Sequence, residues 1–210
     1  MIIFDDLGRE AEYGRVKIER NYDDFSQSIP NWLELDNCTL SENLGTNAML
    51  TRVNNSVTMK LKTKAFRCDN LAGMRVLLGN MTSGGIEKIE VVSEDELSKL
   101  SIKKETNGRA GMYVNDAFVK LTDKKVSFGL RTDVPDIIGS GYFDKAQTIG
   151  IHFLPQNKSF NLWAYGGDMG ECILPETTEF NINKNFRFVF EWNLDTVTFS
   201  QAKLILWKSY

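Results

Sequence analysis

Alternation of apolar and polar residues constrains this chain more than any other feature. In residues 186–192 four aromatic side chains occupy every second position, and residues 56–62, 125–131 and 202–208 alternate in the same way. A period of two is that of a β-strand with one face in the core and the other in water. The sequence therefore predicts a chain built from half-buried antiparallel strands.

Further strands are predicted at 147–154 and 158–165, with residues 155–157 as a hairpin-type connection. Weaker patterns predict strands at 14–19, 32–36, 48–53, 74–78, 86–92 and 111–120. Turn residues separate them at 54–55, 83–85, 107–108, 115–116, 123–124, 139–141 and 166–168. Short strands recurring about every ten residues are typical of an all-β sandwich or barrel, and the βαβ alternative lacks its long amphipathic helices.

One short helix is predicted at residues 94–100. Ser93 can cap its first turn, Glu96 stands at the capping-box position, and Leu97 and Leu100 would face a sheet. A turn is predicted at residues 23–28.

The 210 residues are predicted to form one β-sandwich domain over 21–210, with residues 1–20 as an N-terminal arm or edge strand. A chain of this length buries roughly 70% of its unfolded surface, so it needs no disulfide or metal to fold. The alternation assigns these residues to the core: Met59, Leu61, Phe128, Phe188, Phe190 and Leu204.

Charge and hydropathy exclude two classes of partner. The net charge of -3 comes from 28 acidic and 25 basic residues spread along the chain, and no Lys/Arg cluster suggests nucleic acid. No apolar run approaches the roughly 20 residues of a membrane helix. Because the first residues, MIIFDD, lack the basic start of a signal peptide, we expect synthesis in the cytoplasm.

The cysteines predict neither a disulfide framework nor a metal site. Cys38, Cys68 and Cys172 are far apart and odd in number, and His152 is the single histidine. A zinc site would need all four residues, at spacings that match no familiar pattern. We expect three reduced thiols, no cofactor and no metal.

Five segments resemble a known fold family. WLELD at 32–36, SVTMKL at 56–61 and residues 66–78 resemble the opening of concanavalin-like jelly-roll sandwiches, as found in lectins and glucanases. FRFVFEWN at 186–193 and AKLILW at 202–207 resemble the closing strands of that fold. The resemblance implies two curved antiparallel sheets and, commonly, carbohydrate binding.

The resemblance also implies two kinds of site that the residues do not supply. Glycosidases of this jelly roll carry a Glu-x-Asp-x-(x)-Glu pattern; Glu34 and Asp36 alternate onto one face, but residues 37–39 offer no third acid. Calcium is common in such domains, and the acids Asp133, Asp136 and Asp144 lie in a turn-rich region. They lack Asp-x-Asp-x-Asp spacing, so a solvated loop is the favoured interpretation.

An aromatic strand face is the best candidate for a binding site. If the apolar residues of 158–165 face the core, then Asn161, Trp163 and Tyr165 lie on the other side. His152 of the neighbouring strand can join them, and Asp168 follows in the next loop. Trp and Tyr rings stack on sugars while Asn and Asp bind hydroxyls. The alternatives are that a helix, loop or partner subunit covers this face, and that His152 is merely packed.

With no catalytic set, the sequence predicts a non-catalytic binding or structural module rather than an enzyme. Its specific form is a phage or virion component, such as a tail, fibre or decoration protein, that binds glycan or a protein partner. One alternative is a glycan-processing enzyme of jelly-roll type, either a hydrolase or a lyase. Another is an architectural subunit whose aromatic face is a homo-oligomer interface.

Overall fold

The computed structural model describes the backbone of residues 3–4, 10–12, 15–22, 33–43, 47–67, 71–79, 86–104, 110–119, 149–154, 159–164, 167–173, 181, 183–199 and 201–209. Side chains are described at 33–41, 48–65, 78, 86–104, 111–119, 181 and 183–199. The predicted strand at 125–131, the turn at 23–28, Phe128 and the acids Asp133, Asp136 and Asp144 lie outside these ranges. Leu204 lies in a described strand, but its side chain does not belong to the described set.

Nineteen strands are described, in chain order. The first ten are β1 Ile3–Phe4, β2 Glu10–Glu12, β3 Arg15–Tyr22, β4 Leu33–Asp36, β5 Cys38–Asn43, β6 Asn47–Arg52, β7 Met59–Thr63, β8 Phe66–Arg67, β9 Leu71–Gly79 and β10 Ile86–Ser93. The others are β11 Lys99–Lys104, β12 Ala110–Val114, β13 Ala117–Phe118, β14 Ile149–Leu154, β15 Ser159–Ala164, β16 Gly167–Ile173, β17 Asn185–Trp192, β18 Thr196–Phe199 and β19 Gln201–Ser209.

Two large antiparallel sheets form the predicted sandwich. Sheet A has the order β1-β2-β3-β19-β9-β14-β15-β16. Sheet B has the order β13-β12-β11-β10-β17-β7-β4, with β8 paired to β17. A third, three-stranded sheet C, in the order β18-β6-β5, was not predicted. The all-β class and the two main sheets are confirmed.

The core face of sheet B follows the alternation that the sequence shows. Phe190 lies between its register partners Ile89 of β10 and Leu61 of β7, and all three are at most 1% exposed. The predicted burial of Met59, Leu61, Phe188 and Phe190 is confirmed. The alternation of residues 56–62 also predicts Val57 on this face, but Val57 is 47% exposed because β7 starts only at Met59.

The predicted helix at 94–100 is wrong. Residues 94–98 form the turn between β10 and β11, and Lys99 and Leu100 already belong to β11. The capping residues close this turn instead: the Ser93 hydroxyl donates to Asp95 Oδ1 at 2.6 Å and accepts from the Ser98 N–H at 3.0 Å. Glu96 adopts a φ of 59°, which a helix does not allow. Pairing of β11 with both β10 and β12 outweighs the weak local helical pattern.

A single residue turns the chain from sheet B into sheet C. Asn37 separates β4 from β5 and has a φ of 54°, in the left-handed region that asparagine tolerates. Its amide nitrogen donates to the carbonyls of Asn54 at 2.9 Å and Val57 at 2.7 Å. Its amide oxygen accepts from the Asn54 N–H at 2.9 Å. Asn37 thereby fixes the loop between β6 and β7.

The closing strands connect all three sheets. β17 pairs in sheet B, β18 in sheet C and β19 in sheet A, where β19 lies between β3 and β9. Near the other end of the chain, β1 and β2 extend sheet A beyond β3, so residues within the predicted 1–20 segment form edge strands. The boundary of the 21–210 domain itself stays a prediction.

Cys38 is buried and free, and burial raises the pKa of its thiol. The side chains of Cys68 and Cys172 lie outside the described set. Among the described residues, no helix is long and apolar enough to span a membrane.

Candidate functional site

Three neighbouring strands at the β16 end of sheet A carry the residues that the sequence singles out. His152 of β14 is the register partner of Asn161 of β15, and Trp163 of β15 is the partner of Asp168 of β16. Partners on adjacent strands belong to the same face of a sheet. The fold therefore brings four of the five predicted residues into one patch, which we call the platform. Tyr165 lies outside the described residues.

The register also assigns the platform to a face. Leu78 of β9 is fully buried and pairs with Ile149 of β14. His152 stands three residues after Ile149, so the strict alternation of a strand puts these two positions on opposite faces. The platform thus belongs to the face opposite that of the buried Leu78. Gly150, the partner of Trp163 on β14, contributes no side chain to that face.

A bulge adjusts β16 to the platform. Asn161 pairs with Glu171 while Trp163 pairs with Asp168, so β16 advances three residues where β15 advances two. Such an extra residue changes which side chains a strand presents on one face. The sequence placed Asp168 in a loop, whereas it lies inside β16, which starts at Gly167. Neighbouring glycines weaken the strand pattern and explain why β16 was not predicted.

A second feature of interest lies on the polar face of sheet B. It is a groove of about 240 Å³, which we call the sheet B groove. Val92 and Val189 contribute to its floor and are only 6% and 5% exposed. Its other lining residues are polar or charged: Lys60, Lys62, Lys88, Glu90, Ser93, Glu96, Lys99, Asp116 and Arg187.

Lys88 forms ion pairs with two carboxylates on this face. Its ammonium lies 2.9 Å from Glu191 Oε2 and 3.1 Å from Glu90 Oε2. The Thr58 hydroxyl donates to Glu191 at 2.7 Å, and the Ser101 hydroxyl donates to Glu90 at 2.8 Å. Burial opposes the charge of Lys88, but the two carboxylates outweigh it and raise the pKa of Lys88.

The contact with Lys88 also favours the ionised form of the Glu191 carboxylate. Burial opposes its charge, yet the hydrogen bond from Thr58 and the contact with Lys88 together lower its pKa. The pKa of Asp36 is lowered in turn by its hydrogen bond from Lys62, at 2.5 Å. A general acid for glycoside cleavage needs a raised pKa, so neither carboxyl has that property.

The cations at the ends of the groove are less engaged. Arg187 reaches Glu34 at 3.5 Å, and Lys99 reaches Asp116 at 3.9 Å. Lys60 is the register partner of both Asp36 and Glu191, and its charge contributes to lowering the pKa of each carboxyl. The groove could not be predicted from the sequence, because its residues come from β7, β10, β11, β17 and two turns and share no spacing. The available signal was the row of lysines and glutamates on the polar positions of those strands.

No metal centre is found in the part of the chain that the structure describes: no three His, Cys, Asp or Glu side chains there are grouped to hold an ion. The predicted absence of a metal at the cysteines stays a prediction, since only Cys38 has a described side chain.

Comparisons with known proteins identify the fold. The sequence matches no protein-family model and no curated protein. Among solved structures, the apo Crh5 transglycosylase superposes with a TM-score of 0.52 and 8% identity, covering 90% of this chain and 83% of that chain. The Emp47p carbohydrate recognition domain gives a TM-score of 0.49 and 14% identity, covering 90% and 94%. Identities this low concern the fold alone. The two antiparallel sheets and the likeness to the Crh5 transglycosylase structure show that the fold of this chain is a concanavalin-like jelly-roll β-sandwich.

Proposed function

We propose that this chain is a non-catalytic carbohydrate-binding module whose ligand lies on the platform. The observation that carries the proposal is the register of β14, β15 and β16. It aligns His152 with Asn161 and Trp163 with Asp168 on one sheet face.

The chemistry of the four residues suits a sugar. An indole ring stacks on the apolar C–H face of a pyranose, and asparagine, aspartate and histidine exchange hydrogen bonds with its hydroxyls. A rigid sheet holds such groups more accurately than loops do. Gly150, the register partner of Trp163 on β14, adds no side chain of its own beside the indole position.

Binding without hydrolysis is supported by the carboxylates on the opposite sheet. The pKa of Glu191 is lowered although burial opposes its charge, and the pKa of Asp36 is lowered by Lys62. These two groups suit ion pairing rather than proton donation. The competing function is a jelly-roll hydrolase or lyase. A reducing-end assay over the sugars that bind tests it, and turnover by the wild type that Glu90→Gln abolishes would establish the enzyme instead.

A virion component is the finer form of this proposal. It is supported by β1, the last strand of sheet A in the strand order, because an edge strand can pair with a neighbouring subunit. Light scattering tests it: a stable trimer or larger assembly favours the virion or architectural role. A monomer that binds glycan favours a free-standing module.

The platform is tested by Trp163→Ala and Asn161→Ala on a glycan array, followed by titration of the best neutral sugar. Each variant should lose affinity by about tenfold or more, because buried aromatic and polar anchors dominate contact energies. The melting temperature should change little if the face is free, since surface substitutions usually cost within about 0.5 kcal/mol.

Trp207→Ala is the matched control. Ile205 of β19 pairs with Arg75 of β9, and Arg75 pairs with His152, so these three positions share one face of sheet A. Trp207 stands two residues after Ile205 and therefore lies on the same face. Two strands, β9 and β14, separate it from Trp163 on β15. It should keep full affinity. A large fall in melting temperature for Trp163→Ala, or an equal loss of binding in Trp207→Ala, contradicts the platform.

A further inference from the structure

We propose that the hairpin formed by β5 and β6, residues 38–52, is a flap that opens as one unit while the two large sheets stay folded. Its latch is the side chain of Arg52, which holds the turn between β17 and β18. Opening uncovers the thiol of Cys38 and the core-facing side of β18, which are buried in the closed state. The flap is independent of the platform, because neither of its strands belongs to sheet A.

The connections of the hairpin attach it at one end. β5 starts directly after Asn37, and β6 ends at Arg52, before the loop that leads to β7 of sheet B. The Val53 N–H donates to the Asn37 carbonyl at 3.1 Å and holds these two ends side by side. β18 differs, because the chain runs from it to β17 of sheet B on one side and to β19 of sheet A on the other. A swinging movement is therefore open to the hairpin and closed to β18.

The side chain of Asn37 closes the base of the flap. Its amide nitrogen donates to the carbonyls of Asn54, Val57 and Thr58, at 2.9, 2.7 and 3.3 Å. These carbonyls belong to the loop that follows β6, so the contacts join the two ends of the hairpin. We therefore expect the flap to move as a single body and not one strand at a time.

One short ladder holds the flap to the rest of the sheets. Among the described strands, β5 pairs only with β6, and β6 pairs outside the hairpin only with β18. That ladder has four residue pairs, whereas β17 is held in sheet B by ladders to both β10 and β7. Ala48 and Leu50 of β6 are fully buried, which favours the closed state. Local opening starts at the units with the fewest such contacts.

Arg52 connects the flap to a turn that stays in place. Its guanidinium donates to Asn193 Oδ1 at 2.9 Å and to the Asp195 carboxylate, and its backbone N–H donates to the Asp195 carbonyl at 2.9 Å. The side chain of Arg52 is 10% exposed and that of Asp195 is 79% exposed. The Nε of Arg52 has no acceptor among the described residues. A buried cation depends on its carboxylate partner, so an exposed contact controls the flap.

The thiol of Cys38 reports whether the flap is open. Cys38 is the register partner of Arg52 and is only 8% exposed. Its thiol donates to the carbonyl of Lys60, on β7, at 3.5 Å. In the closed state the sulfur is out of reach of a reagent. When Arg52 is released and β5 leaves β7, the thiol becomes accessible.

The test is native-state hydrogen exchange with mass spectrometry on the full chain, together with alkylation of Cys38 by iodoacetamide. We expect residues 38–52 to exchange as one group, faster than β10 and β17. Asp195→Ala should speed this exchange and the alkylation by about tenfold, the loss of one charged hydrogen bond. Glu87→Ala is the matched control, because Glu87 is a carboxylate paired with Lys104 on sheet B, and it should leave both rates unchanged.

Ile102→Val separates opening of the flap from unfolding of the whole chain. Ile102 is fully buried in β11 of sheet B, so the variant should speed exchange of β10 and β17 several-fold. Exchange of residues 38–52 should not change, because sheet B stays folded when the flap opens. Equal acceleration of residues 38–52 in this variant overturns the proposal. So does an exchange or an alkylation that ignores Asp195→Ala, or that responds equally to Glu87→Ala.

Discussion

The amide group of Asn37 shows how much of this fold depends on single residues. It joins the backbone carbonyls of Asn54, Val57 and Thr58, at 2.9, 2.7 and 3.3 Å, from a backbone with positive φ. Asparagine is one of the few residues that tolerate this conformation. No sequence pattern marks it, because its partners are backbone groups that lie 17 to 21 residues further along the chain.

Asn37→Ala should lower the free energy of unfolding by about 2–4 kcal/mol. It removes several hydrogen bonds, each worth about 1 kcal/mol, and places a Cβ without compensation in the left-handed region. Urea denaturation measures the change. Asn55→Ala, at an exposed position of the same loop, should cost within about 0.5 kcal/mol. If Asn37→Gly recovers full stability, the hydrogen bonds contribute nothing and the account is wrong.

At the scale of elements, the pairing of β10 with β17 has two different faces. On one face Ile89 opposes Phe190 in the core, and on the other Lys88 opposes Glu191. The carboxylate of Glu191 has a lowered pKa in the folded state. It therefore adds stability above its ordinary pKa of 4.5, and this stability is lost as the pH falls through the lowered value.

Lys88→Met should reverse this dependence. At pH 7 it leaves Glu90 and Glu191 largely buried without their cation, which costs about 3 kcal/mol or more. Burial then raises the pKa of Glu191 in the folded state, so stability should rise as the pH falls from 7 toward 5. Urea denaturation at both values measures the slope. A variant whose stability changes with pH as the wild type does contradicts the role of Lys88.

Some elements could be predicted and others could not, for identifiable reasons. β17 was predicted because its aromatic residues all face the core, which makes the period of two unmistakable. The first two residues of β11 were predicted as the end of a helix, because Leu97 and Leu100 fit the helical period, and only the pairing with β10 and β12 decides. β18 alternates over TVTF but has only four residues, and β5 has apolar residues only at Cys38 and Leu40, so sheet C was missed.

Across the whole molecule, the two candidate sites differ in how far they can be predicted from the sequence. The platform was predictable in part, because Asn161 and Trp163 are two residues apart on one strand. The sheet B groove was not, because its members come together only through the pairing of β7, β17, β10 and β11. The register between strands that are distant in the chain is set by the fold, so the residues that it brings together show no regular spacing in the sequence.

The stability of the whole sandwich depends on the core side of sheet B. Phe190 is 1% exposed and its ring stacks on that of Trp192, with centroids 6.1 Å apart. Phe190→Ala should cost about 3–5 kcal/mol, since it removes a large buried ring and leaves a cavity. Thermal and urea unfolding measure this, with the exposed Val53→Ala as a control that should stay near the wild type. Unchanged unfolding of Phe190→Ala means that the core lies elsewhere.

The position of β19 has a consequence for how the protein is made. Residues 201–209 lie between β3, at 15–22, and β9, at 71–79, so sheet A joins segments more than 120 residues apart. On the ribosome, β3 and one edge of β9 are complete long before their shared partner emerges. The nascent chain therefore carries open strand edges during most of its synthesis, and closure of sheet A follows translation of residues 201–209. Folds with such distant pairings form in milliseconds to seconds rather than microseconds.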